Sequence, residues 1–122
     1  MRKEAGFTLV ETLATMGLCT LALLALVGTL HYTLNLNTYS KNRLIAMNDA
    51  RRVAEQVRNV ADTSFSSVAT TSYTGFLSNA LASESVSVTT SGTDPLTVTI
   101  AINWVEKSRN ESFQFVTMVT KR

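Results

Sequence analysis

Residues 12–40 read TLATMGLCTLALLALVGTLHYTLNLNTYS, a run of 29 side chains without a formal charge between Glu11 and Lys41. Its apolar part, Leu13 to Leu36, is built of Leu, Ala, Val and Met, broken by Thr, Gly and Cys and, near its end, by His, Tyr and Asn. About 20 such residues suffice to span a bilayer as a helix. The stretch is long enough to cross a membrane once. On its N-terminal side stand Arg2, Lys3, Glu4 and Glu11, and on its C-terminal side Lys41 and Arg43. The positive-inside bias is therefore nearly balanced, and charge alone does not orient the span.

The whole chain has 122 residues, 11 Lys and Arg against 9 Asp and Glu, and a hydrophobic fraction of 45%. That is the profile of a single small domain. A formal charge of +2 disfavours nucleic acid as the main partner, because counterion release needs clustered Lys and Arg. One Cys, one His and one Pro exclude a disulfide framework, a Cys/His zinc site and a Pro-rich linker. No metal and no cofactor is expected.

Three kinds of N-terminus compete for the apolar run. A cleaved secretory signal has a core of only about 7–15 apolar residues followed by a small-x-small cleavage site, and no Ala-x-Ala follows this core. A lipoprotein signal needs small residues before its Cys, whereas Met16, Gly17 and Leu18 precede Cys19, which also stands mid-span. A retained membrane helix remains, and it has to accommodate an acidic residue at its start.

Gly6-Phe7-Thr8-Leu9-Val10-Glu11, after the short charged leader and before the apolar run, resembles the class III signal of type IV pilins and type II secretion pseudopilins. The combination carries the resemblance: a leader of residues 1–6 with Arg2 and Lys3, Gly at the junction, an aromatic residue next and a Glu four positions later. It implies cleavage by a prepilin peptidase between Gly6 and Phe7, N-methylation of Phe7, and a cytoplasmic N-terminus. A carboxylate at the centre of a span costs about 2.5–3.5 kcal/mol and tends to be paired. The resemblance supplies a partner for Glu11, the N-terminal amine of a neighbouring subunit, which would set that subunit's register in a filament. The plainer reading keeps Glu11 in the headgroup layer as a boundary carboxylate.

Beyond the span no Gly occurs between Gly28 and Gly75 and no Pro before Pro95, while Leu44, Met47, Ala50, Ala54, Val57 and Ala61 recur at spacings of three and four. This predicts that the helix continues amphipathically to about Ala61. From Phe7 it would be roughly 80 Å long at 1.5 Å per residue. Asp49 with Arg52 and Glu55 with Arg58 are expected as i,i+3 supports on its wetter side. Many pilins carry a Pro in the membrane half; here Gly17 and Gly28 are the candidates for local weakening.

From Thr63 to Thr93, 16 of 31 residues are Ser or Thr and Glu84 is the sole charge, which predicts loop and short-strand structure anchored by Tyr73, Phe76, Leu77 and Leu81. A low-complexity linker is the alternative for residues 63–72. Alternation then predicts three antiparallel strands: 85–90 through Val86 and Val88; Leu96, Val98, Ile100, Ile102 and Trp104; and Phe113, Phe115 and Val119 with Val116 and Met118 opposite. Residues 92–95 and 107–110 are the expected turns.

The result is an α+β chain, pilin-like, with a long N-terminal helix packed on a small antiparallel sheet. Its segments are a leader (1–6), a transmembrane and filament-core helix (7–39) and an extracytoplasmic globular domain (40–122), with a Ser/Thr-rich loop at 63–93 and the sheet at 84–120. The strand Thr97-Val98-Thr99-Ile100-Ala101-Ile102-Asn103-Trp104, the polar turn and the closing strand after it, together with Asn48 to Arg58 at the end of the helix, look most similar to PilV-type minor pilins and small pseudopilins, a resemblance of pattern over most of the chain. The disulfide loop common in major pilins cannot form, because no Cys follows Cys19.

Other candidates have plainer readings. His31 has no Cys or carboxylate near it in sequence and reads as an interfacial or packed side chain rather than a base. Cys19 reads as a small apolar residue. Arg51, Arg52 and Arg58 could contact DNA, as in competence pseudopilins, or form a solvated face partly neutralised by Asp49 and Glu55. Trp104 continues an apolar strand face and is expected in the core. Asn110-Glu111-Ser112 fits the glycosylation triplet, which is common by chance.

The expected function is structural, not enzymatic: a minor pilin or pseudopilin of a type IV pilus or type II secretion pseudopilus. Its expected partners are the prepilin peptidase, other pilin subunits, an inner-membrane assembly platform and membrane lipid. A competence pseudopilin and a single-pass anchored binding module are the rivals.

Overall fold

The computed structural model describes residues 8–121. Helix α1 runs without a break from Leu9 to Thr63, two short 3-10 turns follow at Phe65–Ser67 and Thr74–Phe76, and three strands complete the chain: β1 (Ser85–Ser91), β2 (Leu96–Glu106) and β3 (Arg109–Val119). One long N-terminal helix and one antiparallel sheet make the α+β arrangement expected from the sequence. The chain divides into two compact units, Met1–Tyr39 and Ser40–Arg122.

In the first unit the helix passes through Gly17 and Gly28 as α-helix, so neither position interrupts it. Every residue from Thr8 to Tyr39 is exposed. The threonines scattered through the apolar run do not leave their hydroxyls loose. Thr12 donates to the Leu9 carbonyl, Thr15 to those of Glu11 and Thr12, Thr20 to those of Met16 and Gly17, Thr29 to Leu26, Thr33 to Thr29 and Thr38 to Leu34. Such back-bonding satisfies a hydroxyl where no water is available.

In the second unit the helix buries Ala46, Asp49, Ala50, Val53, Ala54, Val57 and Ala61. This corrects the expected stripe. Leu44 is more than half exposed, and the buried line runs through Ala46 and Val53 instead. Small residues on the helix meet large ones on the sheet: Val98, Ile100, Ile102 and Trp104 of β2 alternate inward and are buried. Antiparallel pairing sets them in rows, Val88 with Ile100 and Phe115, and Val86 with Ile102 and Phe113. Such cross-strand pairs stabilise a sheet by packing neighbours on one face.

β2 is the central strand, with β1 and β3 at the edges. The opposite face holds Ser87, Thr89 and Ser91 of β1, Thr97, Thr99 and Ala101 of β2, and Gln114, Val116 and Met118 of β3, with no charge among them. The β2–β3 turn is tighter than the expected 107–110. Arg109 and Asn110 already pair with Glu106 and Val105, and only Lys107 and Ser108 turn the chain, both at positive φ (48° and 64°). Two left-handed residues in succession match the right-handed twist of the flanking strands, which is why two-residue hairpins use them. Between β1 and β2, Gly92 takes φ 86°, and a Cβ there would stand 3.0 Å from the Pro95 carbonyl oxygen. Asp94 in the same turn accepts the Lys121 amide at 3.2 Å, tying the C-terminal residues to it.

The Ser/Thr-rich stretch is anchored. Val68 is fully buried, and the buried Tyr73 hydroxyl donates to its carbonyl at 3.0 Å. That rules against a free linker at 63–72. Leu77 and Leu81 are buried as expected, whereas Phe76 stays 38% exposed and is not an anchor.

Candidate functional site

The expected cleavage point, Gly6 and Phe7, lies outside the described residues. The described chain opens immediately after it with Thr8-Leu9-Val10-Glu11. Thr8 stands at the N-cap of α1: its carbonyl accepts the Thr12 amide at 3.2 Å, and its Oγ1 accepts the Glu11 amide at 3.3 Å. That is half of a capping box, with Thr at the cap and Glu at the third helical position. A carboxylate in the first turn also faces the positive end of the helix dipole. Glu11 thus fits its place on helix physics alone, and among the described residues its carboxylate meets no donor. It is exposed at the head of the apolar helix.

Behind Glu11 the helix surface is apolar on all sides. Leu13, Met16, Leu18, Leu21, Leu23, Leu24, Leu26, Val27 and Leu30 are each more than half exposed. The helix is long and apolar enough to cross a membrane, and none of its apolar window is buried within the chain. A soluble protein's core helix would be covered by its own domain, but this one is not. An apolar surface of this extent marks contact with a membrane or with other proteins. Cys19 and His31 both lie exposed on it.

The remaining candidates fall elsewhere. Arg51, Arg52 and Arg58 are exposed on the second half of α1. Arg52 approaches Asp49 at 3.7 Å, and Arg58 shares a shallow depression with Asp62, Met118, Val119 and Thr120. Trp104 is core, 3% exposed, and its Nε1 donates to Glu106 at 3.4 Å. Asn110 belongs to β3.

Sequence reading missed two features. The Thr8 cap was available from the Thr-x-x-Glu spacing. Asp49, expected on the wet side, is 1% exposed and accepts the Ser78 hydroxyl at 2.6 Å. Its position three residues after Ala46 and four before Val53 puts it on the buried stripe. Burial also raises Tyr73 above its usual range, opposed by a hydrogen bond with Thr71.

A family model for the prokaryotic N-terminal methylation motif matches residues 1–27. The N-terminus is pilin-like. The matched segment takes in the leader, the junction, Glu11 and the first half of the apolar run, and it indicates a type IV pilin-like precursor of the kind a prepilin peptidase processes. Together with the exposed apolar helix, the pilin-like signal fits a single-pass, membrane-anchored protein with a structural role. No curated protein and no solved structure matches the chain.

Proposed function

We propose that the chain is a minor pilin or small pseudopilin, processed between Gly6 and Phe7, methylated on Phe7 and assembled into a type IV pilus or type II secretion pseudopilus. The observation that carries this reading is the continuity of the methylation motif with a helix whose entire first half lies bare. Before assembly lipid covers that surface; in the filament the helices of other subunits do. Glu11, fixed in the first turn beside the new N-terminus, is the group that pairs with a neighbouring subunit's terminal amine. Residues 40–122 lie outside the cytoplasm and present the sheet and the Ser/Thr-rich segment to other subunits or to a secreted substrate. The prepilin peptidase and the inner-membrane assembly platform are the partners on the way.

Intact mass of the membrane-extracted protein, produced with and without the prepilin peptidase of its host, tests the reading. Loss of residues 1–6 and gain of one methyl group, only when the peptidase is present, is the expected result. An unprocessed N-terminus under both conditions overturns the filament reading in favour of an anchored binding module.

A further inference from the structure

Asp49 is a carboxylate among the alanines and valines of the helix's buried stripe, 1% exposed. Ser78 Oγ donates to its Oδ2 at 2.6 Å, and Arg52 Nη1 stands 3.7 Å from Oδ1, with most of the arginine in solvent. A second carboxyl stands near it: Glu84, at the foot of β1, feels the Asp49 side chain as a neighbour of like charge. Glu84 Oε2 accepts the Leu81 amide at 3.4 Å, while Oε1 is buried and no donor reaches it.

Two ionised carboxylates cannot hydrogen-bond to each other, because neither has a hydrogen to give. Ionised, Glu84 Oε1 would be a buried acceptor without a donor, set against a like charge, and both conditions are costly. A single proton on Oε1 removes both at once. The orphan oxygen becomes a donor, Asp49 its acceptor, and the pair carries one negative charge, which Ser78 and Arg52 face.

We infer that Asp49 and Glu84 hold one proton between them, and that this proton fastens the 78–84 segment to the second half of α1, so that closure of the domain tightens as pH falls. The clasp joins three parts of the domain: the helix through Asp49, the Ser/Thr-rich segment through Ser78, and the start of the sheet through Glu84. It lies within residues 40–122 and does not depend on the filament reading.

Few other charges bear on it. On the helix Arg52 is the charged group facing Asp49, while Arg51 and Glu55 are exposed and make no bond to either carboxyl. Residues 77–83 and β1 carry no charge. On the sheet Glu106 is engaged by Trp104 Nε1, and Arg109 and Glu111 belong to the β2–β3 hairpin. Burial above all, and then the Asp49 side chain, raise Glu84 above its ordinary value of 4.5, against the opposing pull of the Leu81 and Ala80 amides.

The folded chain keeps a proton that the unfolded chain releases, so the added stability is complete below about 4.5 and is lost as pH rises through the raised folded value. Inside that window one linked proton changes the unfolding constant by up to about tenfold per pH unit.

The test is urea unfolding of the full chain in zwitterionic detergent between pH 4.5 and 8, followed by the fluorescence of Trp104, the only tryptophan. The wild type is expected to weaken with rising pH. Glu84→Gln, whose amide can donate to Asp49 and accept from Leu81 at any pH, is expected to lose that dependence and to exceed the wild type at pH 7.5. Equal pH slopes in the two proteins overturn the inference. Should Glu84→Gln not fold, carboxyl carbon NMR of the wild type decides: a Glu84 midpoint above 4.5 supports the shared proton, and a midpoint at 4.5 refutes it.

Discussion

Residues 9–39 and 40–63 belong to one unbroken helix, yet they bury their side chains by opposite rules. The first half is ringed by leucines and covers none of them; the second offers a stripe of alanines and valines and covers nearly all of it. Helix formation is thus independent of what lies against the helix: local propensity and the absence of Pro carry it through both halves. Burial depends on a partner, which the chain supplies only for the second half. The ring of leucines needs a partner from outside.

This contrast can be broken at several points. The largest effect is expected in the domain. Ile100→Ala would empty a fully buried site facing the helix, at a cost of about 2–5 kcal/mol. Urea unfolding followed by Trp104 fluorescence would fall to a lower midpoint, while membrane extraction would stay unchanged. Leu24→Lys, in the bare half, reverses the pattern. A lysine at mid-span costs about 3 kcal/mol in insertion, so the membrane-bound fraction would fall while the urea midpoint of the domain would not. If either substitution moved both readouts, the two halves would not be separate in their energetics. Tyr73→Phe is smaller. It removes the donor to the Val68 carbonyl and should cost about 1 kcal/mol, read as a modest drop in the same urea midpoint.

Much of this organisation is legible in the sequence because its periods are clean. Inward alternation from Val98 to Trp104 and the absence of Pro before Pro95 each admit one simple reading, while the uncharged run of 12–40 admits three, which the residues around it reduce to a retained helix. The errors have physical causes too. Leu44 reads as part of the buried stripe for its hydrophobicity, but the stripe that is covered begins at Ala46 and runs through Ala50, Val53, Ala54, Val57 and Ala61, leaving Leu44 to one side of it. Asp49 reads as a solvent-facing charge because charges usually are, and its burial is made tolerable by the Ser78 hydroxyl, 29 residues away, together with Arg52 one turn on. Long-range compensation of that kind leaves no periodic trace. Arg109 and Asn110 read as turn because polar residues cluster there, although Lys107 and Ser108 complete the reversal alone. At the N-terminus Glu11 stood out by its chemistry, while Thr8, which caps the helix beneath it, did not.

The threonine hydroxyls of the bare half have one more consequence. From Thr12 to Thr29 each points its hydrogen back at a carbonyl of its own helix, so apart from the Cys19 thiol this surface offers no donors outward. Two copies laid side by side over that length would find only the shapes of leucines to hold them, and sliding one along the other would meet little directional resistance. In the proposed filament, axial position would be fixed at the margins, by Glu11 at one end and by the polar stretch from His31 to Tyr39 at the other.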